Sequence, residues 1–415
     1  MSNETHQKYP RSVQHGKPRL TSLKDGWLRV PIGNLVVEVS RPVDMRDDEI
    51  YTLVTAKRSR GGIVKREVLN GKDIAVKNQF YVREDDFLIS KRQIVHGACG
   101  FVPKELDGAI VSNEYLVLNF TDKIIPQFWE LLSHTVYFQQ VCFHSSIGVH
   151  VEKMLFKVST WHRWEVNIPS RKEQEKIASF LGAIDKRLTE LRRKHELLQT
   201  YKRGVMQKIF SQEVRFKGEI GSAFPDWEKK KMGEVFTRIT RKNKENNLNV
   251  LTISAQYGLI NQREFFNKSV AADDLTGYYL LKCGDFAYNK SYSNGYPMGA
   301  IKRLNLHEKG VVSTLYICFS TSDEVEARFY EKYFDGGFLN HELHKIAQEG
   351  ARNHGLLNMS VVEFFRDITL DNPDTEEQEK IADFLTAIDQ KIEAVARQID
   401  RTEQFKKGLL QKMFV

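Results

Sequence analysis

Two stretches of this chain are copies of one another. Glu173-Gln174-Glu175-Lys176-Ile177-Ala178 returns as Glu377-Gln378-Glu379-Lys380-Ile381-Ala382, and the match continues without a gap at a constant offset of 204 residues. Phe180-Leu181 meets Phe384-Leu385, Ala183-Ile184-Asp185 meets Ala387-Ile388-Asp389, Lys202 and Gly204 meet Lys406 and Gly408, and Phe210 meets Phe414. A duplication on this scale means that one supersecondary plan is used twice, and 415 residues already exceed what one hydrophobic core usually organises.

Each copy reads as one long helix. Ser170 ahead of Glu173, and Asp374 ahead of Glu377, are capping-box signatures at helix starts. Apolar residues then step by four and three through Ile177, Leu181, Ile184, Leu188, Leu191 and Leu198 to Val205 and Ile209. The second copy runs Ile381, Leu385, Ile388, Ile392, Val395 and Ile399 to Leu409 and Met413. Five such heptads with charges between them mark a coiled-coil seam, in helices of roughly 57 Å. The other reading of the stripe is a helix packed on its own domain's core. His195, Thr402, Lys202 and Lys406 interrupt the seam at a cost in stability, while polar seam positions fix register. Gly204 and Gly408 mean either a helix that ends earlier or the close approach of another subunit's backbone.

The regions between repeat more faintly. Trp27 and Gly33 answer Trp227 and Gly233, Asp86-Phe87 with Lys91 answers Asp285-Phe286 with Lys290, and Val111-Ser112 through Tyr115 answers Val312-Ser313 through Tyr316. Alternating strands at Ile50 to Thr55, Val111 to Phe120, Val250 to Ser254 and Val312 to Ser320 surround one helical stretch per half, Pro126 to Val141 and Val325 to Gln348. The fold class is α+β: two repeated α/β domains joined by two long helices that pair as an antiparallel coiled coil with pseudo-two-fold symmetry. The expected divisions are a disordered tail over 1–16, a domain over 17–167, a helix over 168–211, a linker and second domain over 212–370, and a second helix over 371–415.

Composition narrows the function classes. Hydrophobic residues make up 41% of the chain, enough for packed cores. Lys and Arg number 62 against 54 Asp and Glu, a net charge of +8 that suits a polyanionic partner without demonstrating one. The four cysteines, Cys99, Cys142, Cys283 and Cys318, stand apart, which suggests neither a disulfide framework nor a zinc site. With no apolar run long enough to span a membrane and no secretory h-region, the chain is expected in the cytoplasm. No phosphate loop or dinucleotide fingerprint occurs. His341-Glu342-Leu343-His344 spaces its histidines by three rather than the four a zinc-protease helix needs, and in Pro225-Asp226-Trp227-Glu228-Lys229-Lys230 the acids stand too close for a metal nuclease.

Basic, amide and aromatic residues on loops remain as candidates. Lys57, Arg58 and Arg60 follow one strand and Lys91 and Arg92 another. In the second half Arg238, Arg241, Lys242 and Lys244 follow the opening segment, and Asn289, Lys290, Ser291, Asn294 and Tyr296 interleave amides, hydroxyls and rings. Such groups clamp phosphates and read base edges.

The Glu-Gln-Glu-Lys-Ile-Ala helix start, the helix ends Tyr201-Lys202-Arg203-Gly204 to Phe210 and Phe405-Lys406-Lys407-Gly408 to Phe414, and the duplicate layout resemble the DNA specificity (S) subunits of type I restriction-modification enzymes. The second domain resembles that family's target-recognition domains at Gly284-Asp285-Phe286, Asn289-Lys290-Ser291, Gly310-Val311-Val312-Ser313 and Gly350-Ala351-Arg352, which adds Arg352 to the candidates. The first domain departs, with Ser90-Lys91-Arg92 and Gly148-Val149-His150 at two of those places. The resemblance implies a non-catalytic reader of a bipartite site on double-stranded DNA. Two methyltransferase subunits and the endonuclease/translocase subunits would be its partners. This chain would hold no cofactor, and S-adenosylmethionine, ATP and magnesium would belong to those partner subunits. Other readings are a self-contained DNA-cutting or DNA-modifying enzyme, or a coiled-coil adaptor that binds only proteins.

Overall fold

The computed structural model describes residues 9–218, 220–254, 257–263, 274–292, 295–322, 325–347 and 357–414. The long helices run 40 residues each, Arg171–Phe210 and Thr375–Phe414. Two compact units result, Met1–Leu191 with Gln398–Val415, and Arg192–Arg397. Each unit therefore contains the start of one long helix and the end of the other. No helix among the described residues is long and apolar enough to cross a membrane.

Within each unit the domain's first and last strands pair antiparallel, so the chain leaves the domain beside the point where it came in. In the first unit Leu28–Pro31 pairs with Glu165–Ile168, and in the second Glu228–Lys231 pairs with Thr369–Asn372. Beyond them lies a four-stranded antiparallel sheet. Its order in the first unit is Val36–Glu38, Tyr115–Phe120, Phe87–Ser90, Cys99–Phe101, and in the second Phe236–Arg238, Ile317–Thr321, Phe286–Asn289, Ala300–Arg303. The central strands carry consecutive buried residues, Phe87-Leu88-Ile89 and Leu116-Val117-Leu118 in the first unit, because both faces are covered. Phe87 and Ile89 face a core with Trp129, Phe138 and Trp161, while Leu88 faces a second core with Val54 and Val111. Phe286 and Tyr288 face the equivalent core with Phe329, Tyr330 and Phe364, and Ala287 turns the other way.

Several expectations shift. Val111 to Phe120 is two strands, Ile110–Ser112 and Tyr115–Phe120, and Val312 to Ser320 divides likewise into Lys309–Val312 and Ile317–Thr321. Each helical stretch is also two helices. Thr135 stops Pro126–Ser133 and caps Val136–His144 by accepting from the Phe138 amide, while Gly337 at φ +75° separates Ala327–Asp335 from Asn340–Ile346. The expected disordered tail is packed over 9–16. Tyr9 stacks on His15 at 4.1 Å, Val13 is buried, and the Ser12 hydroxyl meets His96 Nδ1 at 2.9 Å.

The seam answers to both of its readings, at different positions. Ile177 and Leu181 belong to the first unit's core, against which Leu409, Leu410 and Met413 also pack. Early positions of one helix thus meet late positions of the other, the antiparallel sense. In the second unit Ile381, Leu385 and Ile388 share a core with Met206, Ile209 and Phe210. Lys202 and Lys406, which interrupt the seam, each find a carboxylate partner. Lys406 donates to Asp185 at 2.5 Å in the first unit, and Lys202 pairs with Asp389 at 2.5 Å in the second. Asp185 and Asp389 are repeat equivalents, as are the two lysines, so each unit holds the same pair with the helices exchanged. Burial works to raise the Asp389 carboxyl, but hydrogen bonds from Lys202 and Lys332 overcome it and hold it below the usual carboxylate range. Both helices continue through Gly204 and Gly408, where an added Cβ would meet open space, so the reading of an early helix end is set aside.

The Glu-Gln pair that opens each copy proves to be a docking device more than a capping box. Ser170 Oγ does accept from the Glu173 amide at 3.4 Å, but the Glu173 carboxylate takes the Trp27 indole N–H at 3.2 Å. Glu377, fully buried, takes the Trp227 indole at 2.9 Å and Arg215 at 2.7 Å. The buried Gln174 accepts from the Ile125 amide and donates to the Lys123 and Pro169 carbonyls. Gln378 repeats this with the Glu326 amide and the Pro373 carbonyl. Each helix is thereby bolted to its own domain by groups whose hydrogen-bonding capacity is otherwise hard to satisfy away from water.

Candidate nucleic-acid interface

In the second unit the strand Phe236–Arg238 brings Arg238 to the sheet surface, and the turn after Phe286–Asn289 presents Lys290. Arg238 and Lys290 line a cleft of about 140 Å³ with Tyr279, Thr314, Leu315 and Tyr316. Lys242 lies beside the cleft, its ammonium 4.3 Å from the centre of the Tyr279 ring and donating to the Gly277 carbonyl at 2.7 Å. Among the described residues no carboxylate lines this cleft. Cations beside phenol rings and a hydroxyl suit a phosphate with a neighbouring base or sugar, since the cations neutralise and the rings stack. Asn289 accepts from the Ser291 amide at 3.1 Å, and the Tyr296 ring carries the Lys302 ammonium at 5.1 Å.

Other candidates have structural employment. Arg241 pairs with Asp285 and donates to the Leu280 carbonyl at 2.7 Å. Its repeat equivalent, Arg41, grips Asp86 at 2.6 Å. The Gly-Asp-Phe motif is thus explained without DNA, because the nearly buried Asp285 needs a cationic partner and Phe286 fills the core. In the first unit Lys57 is exposed, but Arg58 pairs with Glu152 at 2.6 Å and Arg92 with Glu114 at 2.8 Å. Arg60 turns inward and donates to the Thr135 carbonyl at 3.2 Å, and burial lowers its pKa. Lys91 donates to the Asn113 carbonyl at 2.8 Å. Asn294 and Arg352 lie outside the described residues. Tyr279 and Tyr316 were not candidates in the sequence. Strand register is what brings them out: Tyr316 answers Tyr115 in the repeat, and Tyr279 stands in the register place of Phe80.

Three of the four cysteines are inside the protein, and Cys283 is exposed. Cys99, Cys142 and Cys318 are buried, and burial pushes the Cys99 and Cys318 thiols up to about 12. Glu342, the acid of the His-Glu-Leu-His stretch, is occupied by Lys345 and the Thr369 hydroxyl.

The family model for the type I restriction modification DNA specificity domain matches residues 47–199 and 225–404. The chain belongs to this family. It is a specificity subunit, whose work is to recognise DNA sequence. It is 25% identical to the type I restriction enzyme MjaVIII specificity subunit of Methanocaldococcus jannaschii, over 93% of this chain and 91% of that one. It is 24% identical to the HindI specificity subunit of Haemophilus influenzae over 39% of this chain and 36% of that one. In fold it is similar to the HsdS subunit of Thermoanaerobacter tengcongensis, with a TM-score of 0.54, 19% identity, and 95% and 98% of the two chains covered. A further similar chain comes from a structure of complex assembly and conformational transition in a type I R-M system, with a TM-score of 0.56, 18% identity, and 94% and 98% covered.

Proposed function

We propose that the two recognition domains of this specificity subunit read the two halves of a bipartite duplex site, and that the long helices set the unread gap between them. Two adenine methyltransferase subunits and the endonuclease/translocase subunits would assemble on the chain, in the cytoplasm. S-adenosylmethionine, ATP and magnesium would enter with those partners, and the chemistry with them. The observation that carries this reading is one scaffold used twice with different surface residues: each unit repeats the strands, the Trp–Glu bond and the buried glutamine, while the loops around them differ. Two readers of different sequences need that combination. The purified chain, given duplex DNA, magnesium and S-adenosylmethionine, should bind DNA and neither cut nor methylate it. Adding the cognate methyltransferase subunit should produce site-specific adenine methylation. Cleavage or methylation by the chain alone would contradict the proposal.

A further inference from the structure

The cleft at Arg238 and Lys290 has a counterpart position in the first unit that carries different chemistry. Strand register fixes the correspondence. Arg238 lies opposite Phe319, which lies opposite Phe286, and Glu38 lies opposite Leu118, which lies opposite Phe87. The bridge between Lys242 and Tyr279 is matched by one between Pro42 and Phe80. Arg238 is therefore replaced by Glu38, Lys242 by Pro42 and the Tyr279 phenol by Phe80. Lys91 keeps the place of Lys290, with its ammonium on the Asn113 carbonyl. Among the described residues the second unit sets Arg238 and Lys290 in the cleft and Lys242 beside it on Tyr279, its ammonium on the Gly277 carbonyl, with no acid in the lining, whereas the first unit has Lys91 and Glu38 at these places. A cleft that does open in the first unit, about 320 Å³ where Leu53 and Ile110 are neighbours, has a mixed lining that includes Glu67 and Asp73, and Arg66, its one cation among the described residues, is paired with Glu67. Neither place in the first unit favours a phosphate.

Resting on the reading of the chain as a two-domain DNA reader, we infer that Arg238, Lys242 and Lys290 form a phosphodiester-binding subsite unique to the second unit. The two units then grip DNA unequally. The second holds the backbone by charge at this subsite, and the first, with Glu38 repelling phosphate at the equivalent place, does not. Each cation that neutralises a phosphate releases counterions and steepens the dependence of affinity on salt.

The test uses the full chain and a random-sequence duplex of about 30 base pairs, with affinity measured across potassium chloride concentrations. Arg238→Gln with Lys290→Gln should weaken binding at least about tenfold at low salt and flatten the log–log slope by about two units, about one for each contact. Lys91→Gln should leave the slope unchanged, and Glu38→Arg, a gain that misfolding cannot imitate, should steepen it by about one unit. An unchanged slope in the double variant, or equal flattening by Lys91→Gln, would overturn the subsite. Failure of the wild-type chain to bind duplex DNA at any salt would instead overturn the DNA-reading proposal beneath it.

Discussion

Replacing Arg215 with methionine should destabilise the second unit by about 3–5 kcal/mol, the usual cost of removing one partner from a buried ion pair. Glu377 is fully buried, and Arg215 supplies two of its hydrogen bonds, at 2.7 and 3.2 Å, leaving only the Trp227 indole when the guanidinium is gone. Arg215 also donates to the Pro225 carbonyl at 2.5 Å, so the substitution releases the segment that leads into the second domain. A carboxylate stranded in a dry pocket is the main penalty, and removing it should restore stability. Arg215→Met combined with Glu377→Met should therefore recover much of the loss. Urea unfolding followed by circular dichroism measures both variants. A loss under about 1 kcal/mol in the single variant would show that Glu377 is hydrated or paired in some other way.

Inserting one heptad after Leu191 and another after Val395 should change the gap between the two half-sites while leaving each half-site's sequence intact. Seven residues preserve the apolar seam and add about 10.5 Å to each helix. Two insertions are needed because the helices run antiparallel, with Asp185 against Lys406 and Asp389 against Lys202; a single one would break one of these pairs. Base pairs stack at about 3.4 Å, so the gap should grow by up to about three base pairs. Three base pairs also turn the duplex by roughly 100°, so a smaller increase or weaker binding is the other form of the same effect. Footprinting of the double-insertion variant checks this. An unchanged gap bound at full affinity would show that the helices do not set the spacing.

The long helices and the double domain were legible because duplication and heptad spacing are both written in consecutive residues. What the Glu-Gln pair does was not. A helix-capping motif and a docking motif look alike until Trp27, Ile125 and the Lys123 carbonyl come alongside from more than 45 residues away. The basic loops misled for a related reason. Arg58, Arg92 and Arg241 read as free cations, yet their carboxylates Glu152, Glu114 and Asp285 lie 94, 22 and 44 residues along the chain. Arg60 was hidden differently. Ser59 and Arg60 both adopt positive φ, at 57° and 58°, and that backbone course carries the side chain inward. Lys242 and Lys290 were found by composition, whereas Tyr279 and Tyr316 gained meaning only when strand register put them in the same cleft.

The most direct test of the central claim is to map methylated adenines across a genome in cells that express the cognate methyltransferase subunit. The map should be made with this chain, without it, and with its 212–370 segment exchanged for that of another specificity subunit. The account predicts one bipartite motif with the chain present and none without it. In the exchange, one half of the motif should change while the other half stays the same. The same motif in all three maps would show that sequence recognition resides elsewhere in the complex.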